Sequence, residues 1–219
     1  MAEILIYDVI GKGFFPDGVT PESVHAQIME ASGEDILVRI NSPGGLVADG
    51  ITIMNLLAGY SGSVDISIDG LAASAATIVA LGGERVTMAN GSRYMIHDPW
   101  GATVGNADEH AKSVERLNAT ANDMAELYAS RIGGDADKVR AMMREEVWLS
   151  ALEAVEMGFA DGMAEGVKSL ACKVPSEFGY RNTPKNWRQS SEKNTTGMAQ
   201  IAANIRQRKI DLTRQQMRG

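Results

Sequence analysis

The chain of 219 residues has very little of several things that would each have pointed elsewhere. Its single cysteine, Cys172, can form no internal disulfide, so nothing requires an oxidising compartment. Its three histidines, His25, His97 and His110, are scattered and show no zinc-type spacing, so no metal is expected. No apolar run approaches the ~20 residues that cross a bilayer, and the N-terminus lacks a basic and then apolar signal pattern. A soluble, cytoplasmic protein with no membrane association is the expectation. There is no Gly-x-x-x-x-Gly-Lys-Ser/Thr loop, so any ATPase would be a separate subunit. The Gly-x-Ser-x-Gly elbow of the hydrolases is missing, there are no internal repeats, and no motif calls for a cofactor.

What is present falls into three segments. Gly70-Leu71-Ala72-Ala73-Ser74-Ala75-Ala76 sets one small hydroxyl among side chains too small to crowd it and leads into the apolar run Thr77–Leu81. A serine at a helix start is served by unpaired backbone N–H groups that can stabilise an oxyanion. Alone, the run reads more readily as an alanine-rich packing helix. Arg39-Ile40-Asn41-Ser42-Pro43-Gly44-Gly45 follows the strand-like Ile36-Leu37-Val38. Its glycines would let backbone N–H groups face a ligand, although by themselves they describe a type II turn. Tyr94-Met95-Ile96-His97-Asp98-Pro99-Trp100-Gly101 is a short apolar strand ending in the one histidine placed where catalytic groups of α/β folds project.

Together and in this order, these segments resemble the Clp-type serine peptidases, and most closely their phage and prophage branch, the head-maturation proteases. The resemblance also takes in Gly105-Asn106-Ala107-Asp108, Trp148-Leu149-Ser150-Ala151 and Glu153–Asp161, and it runs from about Ile4 to about Glu165. It implies an α/β fold of the crotonase-like superfold, built of βαβ units with a projecting handle helix. Ser74 would be the nucleophile, His97 the general base and Glu146 the triad acid, with the backbone N–H groups of Gly45 and Ala75 as the oxyanion hole. Housekeeping enzymes of the family carry aspartate at the acid position; glutamate can serve, with its backbone slightly farther away. Glu145 is the competing acid, and Asp98 is a poor one because neighbours on an extended segment face opposite ways. Neither Lys12 nor Lys112 is placed for a Ser-Lys dyad. Gly44, Leu46, Gly101, Ala102 and Thr103 would bind the substrate as an added strand.

The implied partners are protein or peptide substrates, including capsid and scaffold chains of a phage prohead, and further copies of the chain in stacked homo-oligomeric rings. A separate AAA+ ATPase is a further expected partner, in a general protein-degrading role. The rival from another class is a crotonase-like acyl-CoA enzyme, and a third reading is an inactive ring-forming head protein.

Charge divides the chain. Residues 1–172 hold 11 Lys or Arg against 25 Asp or Glu, whereas residues 173–219 hold 10 against 3. The expectation is a peptidase domain over 1–172 and a basic tail over 173–219. In that tail Lys173–Thr196 reads as a linker without a packed core, and Met198, Ile201, Ala202, Ile205 and Leu212 follow at helical spacing. Docking on a scaffold or capsid protein suits the tail; nucleic acid is the least favoured partner.

Periodicity predicts strands at Glu3–Val9, Ile36–Ile40, Val64–Ile68, Arg85–Met88 and Tyr94–Ile96. It predicts helices at Pro21–Ala31, Val47–Leu57, Ser74–Leu81, Ala107–Ile132, Ala136–Glu145 and Ala151–Met157. The long helix carries an apolar stripe of Ala111, Val114, Leu117, Ala121, Met124 and Leu127. The family resemblance makes that stripe an interface between rings; packing on its own domain is the alternative.

Overall fold

The computed structural model describes residues 1–12, 18–168, 174 and 178–187. Strands and helices alternate along the chain: β1 (Ala2–Ile6), α1 (Pro21–Glu30), β2 (Ile36–Ser42), α2 (Val47–Ala58), β3 (Val64–Ala73), α3 (Ala75–Ala80), β4 (Arg85–Asn90) and β5 (Arg93–Ile96). They continue as α4 (Ala107–Ile132), α5 (Ala136–Glu145), β6 (Val147–Ser150), α6 (Ala151–Glu156) and β7 (Gly162–Lys168). The helix starts follow from their capping residues. Thr20 and Ser23, Asn106 and Glu109, and Ser150 and Glu153 each form reciprocal capping boxes at α1, α4 and α6.

The sheet is mostly parallel, as βαβ units require, with β1-β2-β3-β4-β7 in order and β5 and β6 branching from β3. Its central feature is the length of β3, ten residues where the sequence suggests five. The first half, Asp65–Ile68, pairs with β4, and the second half, Leu71–Ala73, pairs with β5 in the register Ala73 to Met95. Changing partner along one strand brings the end of β3 beside the end of β5, which is the origin of the site. This is an α/β fold of βαβ units around one mostly parallel sheet.

Four differences from the sequence reading have physical causes. β1 stops at Ile6 because the chain then turns so that Ile10 bridges to Val19 and Gly45. β6 and β7 escape notice because one has four residues and the other begins Gly162-Met163-Ala164, a composition that favours no strand.

The stripe of α4 is divided. Ala121, Met124, Ala125 and Tyr128 are buried in the domain's own core, whereas Val114 is 58% exposed and no residue from 107 to 120 is buried. At the base of this helix Tyr128 meets the Thr77 hydroxyl at 2.5 Å and packs edge-on against Phe159, so the buried half anchors α4 to α3. The part of the stripe that the domain's own core leaves uncovered is therefore the first half, around Val114 and Leu117.

Finally, the expected linker is not free of core. Val174, Phe178 and Trp187 are buried against Val9, Leu71, Ala73 and Met95, forming a second apolar cluster. The proposed helix from Met198 to Leu212 lies outside the described residues.

Candidate active site

Ser74 stands between β3 and α3 with φ 55 and ψ −125, a conformation that a non-glycine residue adopts only when its surroundings hold it there. Its own N–H donates to Met95 O at 2.9 Å, which ties the turn to β5. The turn aims the side chain at His97, one residue past the end of β5: Ser74 Oγ and His97 Nε2 are 2.8 Å apart, and both residues are buried. His97 has its pKa pushed down from 6.5 to about 4, chiefly by burial. The charges of Glu146 and Asp98 pull the other way without overcoming it, and Arg181 adds slightly to the fall. The imidazole is therefore neutral at neutral pH, and in the tautomer protonated at Nδ1 it can accept the serine proton at Nε2.

The backbone beside the serine is glycine by necessity. A Cβ on Gly44 would lie 2.5 Å from Ala73 O and 2.8 Å from Ser74 Cβ, and one on Gly45 would lie 2.0 Å from Ile10 O. Both have positive φ, 96 and 153. Among the described residues neither Gly45 N–H nor Ala75 N–H donates a hydrogen bond, and Ala75 is the first residue of α3. Ala75 N–H thus follows Ser74 directly in the chain, and Gly45 lines the same cleft as Ser74. One edge of the Gly44–Leu46 segment is already taken, since Ile10 N–H donates to Gly44 O and Leu46 N–H to Ile10 O.

The carboxylates sort themselves by burial. Glu146 is buried at the end of α5, in left-handed backbone geometry with φ 53, while Glu145 is exposed. Asp98 is paired with Arg140. Glu146 Oε1 accepts from Trp148 Nε1 at 3.1 Å and from Asn182 N–H at 2.6 Å, and Oε2 accepts from Arg181 N–H at 2.7 Å. No hydrogen bond joins it to His97 among the described residues; it acts on that imidazole through its charge.

A cleft opens beside Ser74 and His97, walled by Leu46, Pro99, Trp100, Ala102, Phe178 and Tyr180 among others. Of the residues that the sequence reading expects to bind substrate, Leu46, Gly101 and Ala102 line this cleft, together with Gly45. Gly44 and Thr103 do not line the cleft: Gly44 O accepts from Ile10 N–H, and the Thr103 hydroxyl donates to Ser113 Oγ at 2.6 Å.

The residues that reading missed are Phe178, Tyr180, Arg181 and Asn182. The Tyr180 ring stands edge-on to His97 with centroids 4.9 Å apart, and its hydroxyl donates to Pro43 O at 2.6 Å. Burial pushes the Tyr180 phenol far above its ordinary value, so it remains a donor. The one available signal was the pair of aromatics, Phe178 and Tyr180, inside an otherwise polar stretch. Among the described residues no group of His, Cys, Asp and Glu could hold a metal ion, and no helix is long and apolar enough to cross a membrane.

The chain is similar in sequence and fold to known proteins. The sequence model of the family described as Clp protease matches residues 19–166. ATP-dependent Clp protease proteolytic subunits of Streptococcus pneumoniae, among them those of strains R6 and TIGR4, are 34% identical over 148 residues, covering 64% of this chain and 75% of theirs. Among solved structures, a point mutant of ClpP1 from Listeria monocytogenes superposes with a TM-score of 0.66 at 25% identity, covering 75% of this chain and 92% of that one.

Proposed function

Because the chain belongs to the Clp protease family, we propose that it is a serine endopeptidase whose triad is Ser74, His97 and Glu146. The observation that carries the reading is the 2.8 Å approach of Ser74 Oγ to His97 Nε2 beside the donors of Gly45 and Ala75. His97 takes the Ser74 proton as the oxygen attacks a peptide carbonyl, and the imidazolium that forms is stabilised by the Glu146 carboxylate. The oxyanion is received by Gly45 and Ala75 N–H. His97 returns the proton to the leaving amine, and water then releases the acyl-enzyme by the same steps. The substrate lies along the cleft between Leu46 and Gly101-Ala102.

A fluorophosphonate probe tests this directly. Wild type should label at Ser74 and hydrolyse peptides, and Ser74→Ala should do neither while still folding. A Ser74→Ala protein that keeps more than a few per cent of activity would overturn the assignment, and an unlabelled but well-folded wild type would favour the acyl-CoA or structural rivals.

The enzyme works as a homo-oligomeric ring, joined to a second ring through the first half of α4, whose residues the domain's own core leaves uncovered. The names of the pneumococcal relatives favour a subunit that degrades proteins fed to it by a separate AAA+ ATPase. Prohead maturation is the narrower alternative, supported by the resemblance of the motif segments, taken together and in order, to the phage branch. Portal and major capsid genes beside this one would decide for it; a Clp ATPase that stimulates cleavage of a folded substrate would decide for the general role.

A further inference from the structure

Building on that reading, we infer that residues 178–182 are a working part of the active site, in which the backbone N–H groups of Arg181 and Asn182 position the triad acid. They lie beyond the span matched by the family, which ends at 166. Their contacts nevertheless reach every element of the site. Arg181 and Asn182 N–H take one oxygen each of Glu146, Tyr180 sets its ring edge against His97, and the Tyr180 hydroxyl is tied to Pro43 beside the two glycines. Two further bonds clamp the segment to the end of α5: the Asn182 amide donates to Glu145 O and the Arg181 guanidinium to Arg144 O.

Glu146 needs such a holder. It is a buried carboxylate on a residue with positive φ, and without donors the cost of desolvating its charge would drive it out to solvent. Two main-chain N–H groups at 2.6 and 2.7 Å, with Trp148 Nε1, hold its two oxygens facing inward. A segment that merely plugged the site would fill the cleft. Phe178 and Tyr180 instead form part of its wall and leave space beside Ser74 and His97. Their anchorage is that of a permanent element too, since Val174, Phe178 and Trp187 are buried against β3 and β5. Arg181 and Asn182 are thus positioning residues that act through Glu146.

A proline at 182 removes the donor, fixes φ there and restrains Arg181, whereas alanine keeps the donor; the Glu146→Gln background separates the lost N–H from the backbone restraint. In the full chain, kcat of Asn182→Pro should be at least 10-fold below that of Asn182→Ala, with KM within about twofold between them. In a Glu146→Gln background the same two variants should differ by less than twofold, because the donor acts through the carboxylate; a merely structural loss would persist there. If Asn182→Pro does not fold, Tyr180→Phe replaces it. Tyr180→Phe loses both the tie to Pro43 and the hydroxyl's interaction with Ser74, so the part that acts through Glu146 is the fall in kcat seen when Glu146 is intact and absent in the Glu146→Gln background. Equal activity of the proline and alanine variants, or a rise in activity on loosening the segment, refutes the positioning role. A wild type that neither labels nor hydrolyses refutes the peptidase reading itself.

Discussion

Acid should destabilise this fold through one buried imidazole. In the unfolded chain His97 titrates near 6.5, whereas in the folded protein burial holds its pKa at about 4. The folded value is the depressed one, so as the pH falls the unfolded chain binds the extra proton first. The contribution is therefore fully present above about pH 6.5 and is lost progressively as the pH drops toward 4. At 1.36 kcal/mol per pKa unit the loss reaches roughly 3 kcal/mol at pH 4, most of it already gone at pH 4.5. For a domain whose whole stability is on the order of 5–15 kcal/mol, that is a large share. Denaturant unfolding at pH 7.5 and pH 4.5, run on wild type and on His97→Gln, separates this from the carboxylates, which titrate in both proteins. Wild type should lose roughly 2–3 kcal/mol more than the variant across that interval. Equal losses would mean that the imidazole is not desolvated, and the burial argument would fail. The same depression should carry the acid limb of kcat/KM below pH 6.5, since the free enzyme's base is still unprotonated there.

Three other outcomes follow from the geometry. Glu146→Gln, which keeps the shape and removes the charge facing His97, should cut kcat by orders of magnitude with little change in KM, while exposed Glu145→Gln should be mild; steady-state kinetics giving the reverse ranking would move the acid. Gly45→Ala should destabilise by at least ~2 kcal/mol and abolish hydrolysis, because its Cβ would sit 2.0 Å from Ile10 O; a melt and a rate matching wild type would contradict the close approach. Val114→Asp changes an exposed position on the unburied half of α4, so the subunit should keep its melting temperature and sediment as a smaller assembly. Unchanged sedimentation would place the ring contact elsewhere.

Much of the fold was legible because its signals are local. The strand-like Ile36-Leu37-Val38, the run Val64–Ile68 and the helical spacing of Ala107–Ile132 depend on residues a few positions apart, and each element they announce is present. The order of the three motif segments, through the family resemblance, pointed to Ser74, His97, Leu46, Gly101 and Ala102, which meet at the cleft, but also to Gly44 and Thr103, which do not line it. What no local pattern could supply was the change of partner along β3, which depends on the separate pairing of β4 and β5 and is the reason Ser74 and His97 touch. The division of the α4 stripe was equally hidden: Val114 and Met124 are alike in sequence, and only the position of the core decides that one is exposed and the other buried. The segment around Tyr180 shows the limit most plainly. Its polar composition reads as linker, yet its function-bearing groups are main-chain N–H donors, which every residue but proline possesses. Only the folding of that segment back onto β3, β5 and α5 aims two of them at Glu146.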